Sequence, residues 1–186
     1  MTAQVTTREQ ITGRLLKMQP EVLYVPMHLI LEDMAYFAQL AAGQTIAVVL
    51  PRIVHDNEME GLKNGLRQIR SIGIRQALVG NLGLLIPVRE CGFALRGDFG
   101  LNLFNSRAMM TARELEFESA MLSFELTLPQ IRDVSKPVDT EMMIYGRMPL
   151  MVTENCIIRN RTGACTCNQG PVKLVDRTGA EFPIIK

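Results

Sequence analysis

The sequence has little excess charge of either sign. Lys and Arg number 20 and Asp and Glu 19, so the net charge is +1 with a pI near 7.7. That balance argues against a strongly basic nucleic-acid face or an acidic tail and leaves room only for a local RNA-binding patch. No apolar run approaches the roughly 20 residues of a membrane helix, so no membrane association is expected. Residues 1–9, MTAQVTTRE, hold no basic region followed by an apolar stretch, so no signal peptide is read there. No G-x-S-x-G, H-E-x-x-H or P-loop occurs, and no G-x-G-x-x-G opens the first helix, which removes hydrolase signatures and weakens a dinucleotide fold. Tryptophan is absent, which identifies no function. The four cysteines, without a secretion signal, point to a reducing, cytoplasmic setting.

What is present is apolar and periodic. At 186 residues with 47% hydrophobic content, the chain can bury the core of one domain. Runs rich in β-branched residues read as strands at Thr2–Val5, Glu21–Val25, Thr45–Leu50, Ile74–Val79, Phe99–Phe104, Ser119–Phe124 and Thr140–Tyr145. Helical periodicity lies between them, at Arg8–Met18, Leu29–Ala42, Asn57–Ile72, Leu82–Cys91, Ser106–Phe117 and Leu128–Val134. Alternating strands and helices at crossover spacing predict a parallel sheet with helices outside. A full (β/α)₈ barrel has eight strands and about 250 residues. The expectation is therefore an α/β fold, an incomplete TIM-like barrel over 1–147. Residues 148–186 follow as a Cys-containing loop and β-hairpin, a truncated part of the same domain. An open doubly wound sheet is the rival. After Tyr145 no helical period is read. Val172–Asp176 and Glu181–Ile185 flank a turn at Arg177–Gly179, and the apolar ending suggests a chain cut within a larger protein.

In such a barrel, ligands gather where strands end. Those positions hold Arg52, Asn81, Asn105, Glu125, Tyr145 and Arg147, a polar set suited to substrate binding at one rim. Arginine can clamp a carboxylate or phosphate. Asn81 and Asn105 are equally good helix caps. Glu125, just past an apolar strand, is expected to orient an arginine. His28 and His55 read as loop histidines, and Cys91, among apolar residues, as core. Cys156, Cys165 and Cys167 are the metal candidates. Their spacing is not that of a zinc ribbon, and three thiols fall short of the four ligands of a structural zinc or a cubane cluster. No metal is expected on them in this chain.

Residues 145–156, YGRMPLMVTENC, with VDRTGAEFPI at 175–184, resemble the later part of long bacterial proteins of the peptidase U32 (collagenase-like protease) family. GLNLFNS at 100–106 and FELTLPQI at 124–131 resemble barrel strands of that family. The resemblance implies a TIM-barrel-like fold and a peptidase (hydrolase) activity. Related members act with RNA-modifying or quinone-hydroxylating systems and carry an iron–sulfur cluster on four cysteines. In the family motif a His-Gly pair is followed by two cysteines. Here Tyr145 replaces the histidine, Pro149 stands at the first cysteine position and Cys156 at the second, with Cys165 or Cys167 near the third. A fourth would lie beyond Lys186. The resemblance thus implies a cluster only in a full-length parent, and a substrate-binding or scaffold role for this chain rather than independent catalysis. The implied partners are an N-terminal catalytic domain of that parent, a peptide or RNA substrate, and a second copy pairing through the open barrel edge.

Overall fold

The computed structural model describes residues 1–166, 170 and 172–184. The chain divides into two compact units, Met1–Ile144 and Tyr145–Lys186.

The first unit is built on seven parallel strands in sequential order: β1 (Ala3–Gln4), β2 (Leu23–Pro26), β3 (Ile46–Val49), β4 (Gln76–Val79), β5 (Ala94–Gly97), β6 (Phe117–Met121) and β7 (Asp139–Glu141). The helices between them are α1 (Gly13–Lys17), α2 (Met27–Glu32), α3 (Met34–Ala41), α4 (Met59–Ser71), α5 (Leu85–Glu90), α6 (Ser106–Glu114) and α7 (Leu128–Asp133). The sheet curls with helices on its outer face, the incomplete TIM-like barrel that the strand–helix alternation predicts.

Side-chain parity divides each strand between two environments. Leu23, Val25, Ile46, Val48, Ala77, Val79, Leu95, Ala120 and Leu122 face outward and join one core with Ile30, Phe37, Leu66, Ile69, Val88 and Met109 of the helices. Tyr24, Ala47, Val49 and Leu78 face inward with Val22. β2, β3 and β4 are consequently largely apolar on both faces, as expected of a parallel sheet.

Local chemistry breaks two helical stretches that periodicity joins. Thr12 accepts a hydrogen bond from the Leu15 amide and starts α1 afresh after a 3₁₀ turn at Arg8–Gln10. Asp33, at φ −142°, separates α2 from α3 and caps the latter through the Tyr36 amide. Thr127 and Gln130 form a capping box that opens α7, with Pro129 in its first turn.

The fifth strand differs from the expectation at Phe99–Phe104. It is Ala94–Gly97. Phe99–Leu101 is a 3₁₀ turn, because the Asp98 carboxylate takes the Phe99 amide and Asn102 adopts a left-handed φ of 49°. The alternation of Phe99, Leu101 and Leu103 resembles a strand, but only Leu103 bridges to a neighbour, Leu122. The seventh strand likewise ends at Glu141, short of Tyr145.

Inside the curl lies a buried polar cluster. Glu141 Oε1 accepts from the Tyr24 hydroxyl at 2.6 Å, the Ser119 hydroxyl at 2.8 Å and Arg96 Nη2 at 2.9 Å. Its Oε2 accepts from the Thr2 hydroxyl at 2.8 Å. Arg96 Nε also donates to the Tyr24 oxygen at 2.7 Å. The Arg96 and Glu141 side chains are only 9% and 14% exposed, so each charge depends on the other. A bulge makes this possible. Leu95 pairs with Phe117 but Arg96 with Ser119, so Phe117 packs outward while Ser119 points in. Burial acts to raise the Glu141 carboxyl, but hydrogen bonds from Tyr24, Thr2, Ser119 and Arg96 hold it below the usual value. Burial, then Glu141, pushes the Tyr24 hydroxyl up, which keeps it a donor. Thr2 adjoins β1 and Glu141 ends β7, so side chains link the two edges of the sheet.

The second unit holds α8 (Ile157–Thr162) and the antiparallel hairpin of β8 (Val172–Val175) and β9 (Glu181–Ile184). The hairpin was expected. The helix was not, and it starts because the Cys156 sulfur accepts the Arg159 amide at 3.4 Å. Asp176 Oδ1 shapes the hairpin turn by accepting the amides of Thr178 and Ala180. None of the described residues from 145 to 184 is buried.

Glu141→Leu, which strands the buried Arg96 charge, is expected to destabilise the fold by about 3–5 kcal/mol in urea unfolding, and Arg96→Met added to it should recover much of the loss. Because the folded value of Glu141 is depressed, its contribution is complete above the ordinary glutamate range near ~4.3. It should fall away as the pH drops through the folded value, a dependence the double variant should lack.

Candidate functional site

In a parallel sheet every strand-to-helix loop leaves by the same end. Arg52 follows β3, Asn81 follows β4, Asn105 lies between β5 and α6, and Glu125 follows β6, so these four candidates share one rim. Tyr145 and Arg147 belong to the second unit.

Four loops, those after β3, β4, β5 and β6, meet through named contacts. Asn81 Nδ2 donates to the Arg52 carbonyl at 3.1 Å, while Asn81 Oδ1 caps the following turn by accepting the Gly83 amide. The Arg52 guanidinium lies over the Phe99 ring, 4.4 Å from its centre. Phe99 stands 5.7 Å from Phe124, tilted by 53°, and Phe124 is 42% exposed. Glycine permits this approach. A Cβ at Gly100 would stand 2.4 Å from Arg52 Nη2 and 2.9 Å from the Gly80 carbonyl oxygen.

Asp98, one residue beyond β5, completes the cluster. Its Oδ1 accepts the Phe99 amide at 2.8 Å. Its Oδ2 lies where a Cβ at Gly80 would stand 3.1 Å away, and it takes no hydrogen bond from the described residues. Burial pushes the Asp98 carboxyl up, the Phe99 amide and the Arg52 charge oppose that, and the Glu141 charge adds to it.

Other candidates have different occupations. Asn105 caps α6 through the Ala108 amide, and the Glu125 amide donates to the buried Ser123 hydroxyl at 3.4 Å. Among the described residues Glu125 forms no ion pair with an arginine. Inside the curl it is Glu141 that pairs with an arginine, Arg96. His28 is exposed on α2, and His55 is an exposed residue before the 3₁₀ turn Asp56–Glu58. Cys91 is half-buried against the core, its thiol 3.8 Å from the Lys63 carbonyl. Cys165 is exposed, and Cys167 lies outside the described residues. Among the described residues no three His, Cys, Asp or Glu side chains gather as a metal site. Those residues alone therefore do not fit a four-ligand cluster. Among them, too, no helix is long and apolar enough to cross a membrane.

Sequence reasoning missed Asp98, Phe99 and Phe124 as rim residues, and Tyr24, Arg96 and Glu141 inside. The misplaced fifth strand moved its rim position from Asp98 to Asn105. An arginine in the apolar run Ala94–Gly97 was the available signal, since a charge between strand residues needs an inward partner.

The family model described as Peptidase family U32 matches residues 28–171. The "23S rRNA 5-hydroxycytidine C2501 synthase" of Escherichia coli (strain K12) is 27% identical over an alignment of 150 residues that covers 75% of this chain. The chain spans 22% of that relative's length. The crystal structure of a "putative deoxyribose-phosphate aldolase" from Coccidioides immitis aligns over 76% of this chain and 68% of its own, with TM-score 0.43 and 11% identity.

Asp98 has the opposite pH linkage to Glu141. Its folded value is raised, so the fold favours the protonated form, and that preference is lost as the pH rises through the folded value. Asp98→Asn, which keeps an oxygen for the Phe99 amide, is expected to melt no lower than the parent at pH 7 and to flatten the decline in melting temperature above the aspartate range.

Proposed function

The chain belongs to peptidase family U32, and from that membership we propose that it is the barrel segment of a longer RNA-base-modifying protein, with the strand-end rim of its first unit binding RNA. The observation that carries this reading is the Arg52–Phe99–Phe124 arrangement. Unpaired RNA bases stack on aromatic rings and on guanidinium planes, at about 1–3 kcal/mol per base. A half-exposed phenylalanine beside a second ring that already carries an arginine is such a platform. The relative that acts on 23S rRNA supports the choice of substrate, since its similarity extends over three quarters of this chain. In this reading Arg52, Asn81, Asn105 and Glu125 contribute to the binding surface of the first unit. The chemical step belongs to parts of the longer protein outside this chain. The same holds for an iron–sulfur cluster in that protein, and no step is routed through one here.

The family's description favours a second reading, in which the rim holds a peptide. Nucleoside analysis of RNA separates the two. Cells lacking the gene should lose one hydroxylated pyrimidine, restored by the full-length protein and only weakly by its Phe124→Ala variant. An unchanged nucleoside profile, together with peptide cleavage by the purified full-length protein, would replace the RNA reading with the peptidase one.

A further inference from the structure

The stacking platform and the Asp98 carboxylate occupy consecutive positions, because Asp98 directly precedes Phe99. The bond from the Phe99 amide to Oδ1 fixes the carboxylate relative to the ring. Oδ2 is left beside Gly80 in a space that any larger residue there would reduce, since a Cβ would come within 3.1 Å. The Arg52 guanidinium lies over the Phe99 ring. The rim therefore holds an exposed ring, Phe124, packed against Phe99, and in the residue before Phe99 a carboxylate oxygen with acceptor capacity to spare.

We propose that Asp98 selects the base stacked at the Phe99–Phe124 pair, accepting a hydrogen bond at Oδ2 from an exocyclic amino group, so that the site prefers cytosine or adenine to uracil. The inference rests on the RNA reading above and adds a specificity-determining residue to it. Carboxylates pair with the cytosine amino group, and adenine offers an equivalent donor. Uracil presents a carbonyl oxygen at that position. Two acceptors would then face each other with no proton between them, each losing water without gaining a partner. Stacking alone does not discriminate, because every base has a π-face. Discrimination must come from the carboxylate.

The test uses the full-length protein with short fluorescent oligo(C), oligo(A) and oligo(U) ribonucleotides, read by anisotropy at one fixed salt concentration. Oligo(C) and oligo(A) should bind about tenfold or more tightly than oligo(U). Asp98→Asn, whose amide can turn a donor toward uracil, should bring the ratio to within about twofold. Gly80→Ala, which crowds Oδ2 while keeping the charge, should reduce the preference as well, and it serves if Asp98→Asn fails to fold. Phe124→Ala should weaken all three oligomers. Equal binding of oligo(C) and oligo(U) by the parent protein, or a preference that survives both Asp98→Asn and Gly80→Ala, would overturn the assignment while leaving RNA binding intact. Binding unaffected by Phe124→Ala would overturn it too, by moving the bases elsewhere. Failure of every oligomer to bind would remove the RNA reading itself, and this inference with it.

Discussion

The Glu141 carboxylate is the constraint on which the first unit depends. Seven parallel strands supply no hydrogen-bonded seam between the first and the last. One side chain at the end of β7 instead collects donors from beside β1, from β2, from β5 and from β6. A carboxylate can do this because it is an acceptor with about four lone-pair sites and can face several donors at once. The cost is a buried charge, met by the equally buried Arg96. Neither residue suits the barrel interior without the other. Hydrophobic burial drives the helices onto the outer face of the sheet. The polar cluster ties the first and last strands of that sheet together.

The same curl positions the rim. Register pairs Val49 with Leu78, Val79 with Gly97 and Gly97 with Ala120, so the loops after β3 through β6 start at nearly one level. Gly80 and Gly100 then let these loops approach closely enough for Arg52 to lie on Phe99. Asp98 feels the Glu141 charge, and the two carboxylates are treated in opposite ways. Glu141 has four donors and is held ionised. Asp98 has one backbone donor and is pushed toward protonation by burial. A partly buried carboxylate with unused acceptor capacity costs stability when ionised, a cost commonly found where a residue serves binding.

The second unit follows different physics. Its described residues bury no core, and short-range bonds shape it: a thiol capping α8 and an aspartate folding the hairpin turn. The Cys156 sulfur here accepts a hydrogen bond from the Arg159 amide.

Much of the fold was legible because it rests on periodicity. Strand–helix alternation, apolar runs such as Ile46–Val49 and the capping box at Thr127 are local signals, and they determine the parallel barrel, the order of its elements and the α7 start. They also place Arg52 and Asn81 at strand ends. The fifth strand escaped because Phe99–Phe104 alternates more cleanly than Ala94–Gly97, whose Arg96 looks out of place until Glu141 is brought beside it. Those two residues are 45 apart in sequence. Asp98, Phe99 and Phe124 likewise become a cluster only when adjacent strands align their ends. The sequence by itself determined which segments extend, coil and bury, because those properties are set within a few residues. Only the tertiary structure decided which charges meet, because that depends on the register of strands far apart in the chain.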